Sequence, residues 1–142
     1  MIGTVFLWMY WPSFNAGYFH INQTEKALII ANTVLSLTGS CLGSFTLSTI
    51  VRGKFSMEDI LNASLAGGVI IGAPCGIITN PLASLLIGFC VGSLSTVMFA
   101  KLTSKLHHVM GIHDTCGVNN LHGIPGFLGG ILSAVIIASY GY

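Results

Sequence analysis

The feature that most restricts this chain is a long interval without formal charge: from Ile60 to Ala100 there is no Asp, Glu, Lys or Arg. One bilayer crossing needs roughly twenty mostly apolar residues, so the interval is about twice a single span. Charges are scarce elsewhere too. They make up 6% of the 142 residues, against roughly a quarter in ordinary soluble domains, and so few cannot cover a water-facing surface. With hydrophobic residues at 53%, the helices must be apolar around most of their circumference and lie in lipid or against one another. Eighteen glycines would weaken soluble helices, but in membrane helices small residues let backbones pack closely. The expected fold is an all-α, polytopic transmembrane helix bundle in a lipid bilayer.

Charges and helix breakers divide the chain into about five spans. The first covers about 1–19 and contains Pro12; the second covers about 27–51, after the polar cluster Asn22-Gln23-Thr24-Glu25-Lys26. The third and fourth, about 60–78 and 81–100, are separated by Pro74 and Asn80-Pro81, since proline interrupts a helix. The fifth covers about 115–140. Short cytoplasmic loops carry the excess of Lys and Arg, so Arg52 and Lys54, with Lys101 and Lys105 two loops later, are expected inside. Residues 20–26 and 77–80 are then exterior loops. Asn22-Gln23-Thr24 matches the N-x-[ST] glycan acceptor pattern on the exterior side, whereas the matching Asn62-Ala63-Ser64 falls inside a span. Glycines recur four apart at Gly68, Gly72 and Gly76, at Gly88 and Gly92, and at Gly126 and Gly130, which would put each set on one helix face. A narrow pore wall and plain tight packing both account for such stripes.

His122 is the most informative side chain. It is placed about seven residues into the last span, roughly 10 Å along it at 1.5 Å per residue, where a titratable group in lipid is usually functional. Gly123, Pro125 and Gly126 thin the helix around it, and Pro125 leaves a carbonyl one turn back without its partner. A histidine bonded to a neighbouring helix is the plainer alternative. A neutral imidazole donates at one nitrogen and accepts at the other, which suits a small hydrogen-bonding solute. Phe14, followed by Asn15, Ala16 and Gly17 near the end of the first span, reads equally as core or as a pore constriction. Trp8, Tyr10 and Trp11 fall mid-span and are expected between helices.

The remaining chemistry is sparse. His107, His108 and His113 lie in or near a basic loop at 101–114, and His20 sits at the outer end of the first span. His113, Asp114 and Cys116 lack metal-site spacing, so no metal and no cofactor is expected. Cys41, Cys75, Cys90 and Cys116 form no CxxC pair and read as small buried thiols. A net charge of +1 with scattered basic residues leaves no footprint for nucleic acid. The chain contains no GxSxG elbow, HExxH zinc helix or P-loop, and its loops are too short for a catalytic domain, so it is not expected to be an enzyme.

Three stretches resemble the Rhesus (Rh) glycoproteins, the animal-type branch of the ammonium transporter superfamily. They are Gly3-Thr4-Val5-Phe6-Leu7-Trp8-Met9-Tyr10-Trp11-Pro12-Ser13-Phe14-Asn15, then Asn62-Ala63-Ser64-Leu65-Ala66-Gly67-Gly68-Val69, then Asp114-Thr115-Cys116-Gly117-Val118-Asn119-Asn120-Leu121-His122-Gly123-Ile124-Pro125-Gly126. The likeness runs through the whole chain in order. It implies a homotrimer in a plasma membrane, with a hydrophobic, His-lined pore for ammonia or ammonium through each subunit. The family fold has two inverted five-helix halves, and residues 1–142 look like the second, hence a fragment. By that resemblance His122 matches the second of twin pore histidines, and Phe14 matches one of the stacked phenylalanines of the outer vestibule. The first histidine, its companion phenylalanine and the acidic residue of the first half have no counterpart here. A structural or membrane-skeleton-associated Rhesus-like subunit without transport is the alternative, and retention of His122 argues against it.

Overall fold

A computed structural model describes residues 1–17, 22–111 and 113–140. The described residues are helical with short turns: α1 (Ile2–Gly17), α2 (Gln23–Arg52), α3 (Met57–Ala63), α4 (Ala66–Ile71), α5 (Pro81–Val97), α6 (Thr103–Met110) and α7 (Ile124–Tyr140). π-helical turns at Met98–Leu102 and Asn119–Gly123 lead into α6 and α7. Among the described residues, three stretches are long and apolar enough to cross a membrane: Gln23–Arg52, Pro81–Val109 and Asn119–Ser139.

The boundaries of the expected spans move in several places. The polar cluster before the second span is not a loop from Asn22 onward. Asn22 caps α2, its Oδ1 accepting from the Glu25 N–H at 3.0 Å, and Gln23 to Lys26 form the first turn. Residues 18–21, including His20, lie outside the described residues. The 60–78 span is not one helix. It breaks into α3 and α4, followed by turns over 72–77. The basic loop at 101–114 is also largely helical, because the rod begun by α5 continues through its π turn into α6 and ends at Gly111, whose φ of 65° supplies a left-handed cap. His107 and His108 therefore sit on a helix.

α2 and α5 form the tightest seam. A Cβ on Gly88 or Gly92 would run into the backbone of Ser36 or Ser40, and one on Gly39 or Gly43 would run into the backbone of Leu85 or Phe89. The Gly88/Gly92 stripe thus packs as expected. The other two stripes do not: Gly72 and Gly76 lie at or beyond the end of α4, and nothing approaches Gly130. Gly129 is the α7 glycine that meets the Ile70 backbone. One apolar cluster gathers Leu37, Leu65, Ala66, Ile70, Val91 and Leu121, with Trp8 and Trp11 against it. Tyr10 departs from the expected inter-helix position, being 48% exposed. Two cysteines also depart from it, since Cys90 and Cys116 are exposed while Cys75 is buried and Cys41 half-buried.

Candidate functional site

The path to His122 starts at Asp114. Its two carboxylate oxygens accept the N–H groups of Val118 and Asn119 at 2.8 and 2.9 Å, capping the helix that follows. Gly117 makes the turn with φ 66°, pressed against the Phe99 ring, a conformation and a space that only glycine fits. The chain then enters the π turn Asn119–Gly123, in which the Ile124 N–H bonds to the Asn119 carbonyl. The next bond of that pattern would need an N–H on Pro125, which proline lacks. Ser95 on α5 replaces it, donating its hydroxyl to the Asn120 carbonyl at 3.0 Å, while Asn120 Nδ2 donates to Thr103 Oγ1 at 2.7 Å. Asn120 is fully buried. The irregular turn is thus held from α5 and α6.

His122 follows on the exposed side of this turn. The helix begins only at Val118, so the imidazole sits nearer its N-terminal end than the sequence placed it. Its ring stacks on Trp11, with centroids 6.0 Å apart and planes 13° from parallel. Trp11 in turn meets Phe14 edge to face, with centroids 6.4 Å apart and planes at 77°. Trp11 and Phe14 are three residues apart on α1 and so share a face. The three rings form a short aromatic column, with Phe14 61% exposed at one end and His122 at the other. The structure therefore gathers the two pore residues expected from the sequence around Trp11.

α1 is anchored beside the column by Asn15, whose Nδ2 donates to Thr33 Oγ1 at 3.1 Å and to the Gly68 carbonyl at 3.3 Å. Gly68 also gives Trp11 its place, because a Cβ there would strike the indole.

Away from this column, His107 packs edge-on against His113 with centroids 4.2 Å apart and against His108 at 5.3 Å. Asp114 is occupied by capping. Among the described residues no three His, Cys, Asp or Glu side chains gather as metal ligands.

Two features escaped the sequence reading. Asn32, Ser36, Ser40, Ser44 and Ser48 form a fully buried polar stripe along α2. Asn32 Nδ2 donates to the carbonyls of Cys75 and Ile78 at 2.9 and 2.8 Å and its Oδ1 accepts from Ser84; Ser36 and Ser40 donate to the Gly67 and Ala63 carbonyls at 2.8 and 2.7 Å. The four-residue spacing of polar residues was the signal available. The second is an ion pair at the end of α2: Arg52 Nε and Nη2 donate to both oxygens of Asp59, whose side chain is buried.

Bundled apolar helices and a histidine on a thinned helix define a multi-pass membrane protein. All of residues 1–142 match the model of the Ammonium Transporter Family, and the chain belongs to that family. It is 48% identical over 142 residues to the Homo sapiens protein "Ammonium transporter Rh type C", a match covering 98% of this chain and 29% of that one. To the Canis lupus familiaris protein "Ammonium transporter Rh type A" it is 48% identical over 139 residues, covering 96% of this chain and 33% of the other. The chain therefore spans about a third or less of the length of these Rhesus-type relatives. Among solved structures, the Nitrosomonas europaea Rh50 protein, described as one of the Rhesus family of channels, superposes with a TM-score of 0.88 at 40% identity. That match covers 94% of this chain and 35% of Rh50. A sensor Amt protein superposes at 0.82 with 25% identity, covering 94% of this chain and 32% of its own.

Proposed function

We propose that this chain is the second structural half of a Rhesus-type channel, and that the full-length protein conducts ammonia through a His-lined pore in each subunit of a homotrimer in the plasma membrane. The observation that carries the reading is the exposed aromatic column, in which His122 and Phe14 flank Trp11 on a face that the rest of a full-length chain would cover. Membership of the ammonium transporter family supports the solute.

The chemistry follows from desolvation. An ammonium ion entering a narrow apolar passage loses water that nothing there replaces, whereas neutral ammonia loses little, so deprotonation is favoured at the mouth. Phe14 at the open end of the column narrows the approach. Further in, a neutral imidazole offers ammonia one donor and one acceptor without fixed charge, favouring a small polar molecule over cations and apolar gases. The roles of His122 and Phe14 are those of pore lining; neither breaks a covalent bond. On the exterior side Asn22 is the proposed glycan acceptor, with an exposed side chain whose Oδ1 already caps α2.

Stopped-flow ammonia uptake by vesicles holding the intact full-length protein tests this. His122→Ala removes a hydrogen-bonding partner worth roughly 1–3 kcal/mol, so conduction should fall by about one to two decades. His122→Glu should admit cations and carry current. Wild-type conduction by His122→Ala would make the histidine structural and the pore reading wrong.

A further inference from the structure

We infer that Trp11 is a positioning residue for His122: the indole face sets the plane of the imidazole, and Gly68 sets the indole. The inference rests on the pore reading above for its consequence in transport, while the stacking itself stands on geometry alone.

A histidine ring is normally oriented by a hydrogen bond at one of its nitrogens. Among the described residues no group bonds to the imidazole of His122, and the contact they give it is packing on Trp11. Rotation about the last side-chain bond is broad and shallow for histidine; a ring lying 13° from parallel at 6.0 Å over an indole gives up stacking contact whenever it turns edge-on. Among the described residues His122 is otherwise an exposed side chain.

Trp11 is itself confined. It packs against the cluster that holds Leu37, Leu65 and Leu121, its indole lies where Gly68 has no side chain, and Asn15 one turn on ties α1 to the Gly68 carbonyl. The order of constraint runs from Gly68 to Trp11 to His122. Stacking fixes the ring while leaving both nitrogens to the solute or to a partner across the pore, which a hydrogen-bonded anchor would not do.

The test uses the full-length protein in lipid with isotope-labelled histidine. The ring signals of His122 are identified by their loss in His122→Ala. An indole face shields a stacked ring, so these signals should move downfield and broaden in Trp11→Ala, and move less in Trp11→Phe, which keeps an aromatic face. Gly68→Ala, which displaces the indole and leaves both rings chemically intact, should shift them as well and serves if Trp11→Ala does not assemble. Conduction should drop ~10-fold in Trp11→Ala, the scale of a slightly misplaced functional group, and recover most of the way in Trp11→Phe. In a His122→Ala background, Trp11→Ala should add little.

His122 signals that stay put in Trp11→Ala or Gly68→Ala would overturn the inference, as would an undiminished effect of Trp11→Ala in the His122→Ala background. If His122→Ala conducts like wild type while the signals still follow Trp11, the stack is upheld and the pore reading alone fails.

Discussion

α2 and the segment from Met57 to Ile78 are both nearly free of charge beyond their ends, yet α2 runs thirty residues without a break and the other breaks at 64–65 and again after Ile71. In hydrocarbon each backbone group without a partner costs several kcal/mol, so a broken helix survives only where protein supplies the lost bonds. α2 supplies them. Its buried Asn32, Ser36 and Ser40 face the carbonyls of Cys75, Ile78, Gly67 and Ala63. The regular helix is polar along one stripe so that its neighbour can be irregular, and the irregular neighbour in turn places Gly68 beneath Trp11.

The comparison breaks most directly at Asn32. Asn32→Leu strands two carbonyls and removes the acceptor of Ser84, which should cost about 3–5 kcal/mol of stability in detergent unfolding, at about 1–3 kcal/mol for each orphaned group. Wild-type stability would mean that the segment 72–78 does not depend on α2.

A wedge in the seam should cost less. Gly88→Val forces a side chain into the Ser36 backbone and should lower stability by about 1–3 kcal/mol. Gly130→Val, at a site with nothing nearby, should stay within roughly 0.5 kcal/mol in the same assay.

The Arg52–Asp59 pair sharpens the comparison at the end of α2. Because the guanidinium is partly exposed, Asp59→Ala should cost about 1–2 kcal/mol, between the values for surface and buried pairs. A guanidinium stays ionised across the range in which proteins are handled, so the pair keeps its positive member there. A thermal-stability titration through the range where histidine and cysteine lose protons should show no loss that disappears in Asp59→Ala.

The smallest effect separates the two kinds of hydroxyl. Ser36→Ala removes a bond across elements and should cost about 1 kcal/mol. Ser139→Ala removes an exposed bond to the Val135 carbonyl of its own helix and should be neutral within about 0.5 kcal/mol. Equal costs would show that the α2 stripe has no special part in holding 57–78.

Much of this was readable in advance, and the parts that were not have a common cause. The charge-free interval, the breaking effect of Pro74 and Asn80-Pro81, and the Gly88/Gly92 face were legible because they depend on residue type and spacing alone. The break at 64–65 was not, since Asn62, Ala63 and Ser64 carry no strong helix-stopping signal and the carbonyls are rescued by side chains more than twenty residues away. The extension of α5 through a π turn was hidden because Lys101 and Lys105 mimic a loop while continuing a helix. At the candidate site, His122 and Phe14 stood out individually, but Trp11 read only as packing.

Composition was enough to place this chain in a membrane, because desolvating charge is too costly for so few charged residues to signify anything else. The long motifs around Phe14 and His122 were enough to indicate its family. Where the imidazole points was a different matter. That depends on Ser95 and Thr103 holding a turn that Pro125 cannot complete, and on Gly68 admitting an indole from α1. Such contacts join residues far apart in the chain, and they exist only once the helices have packed.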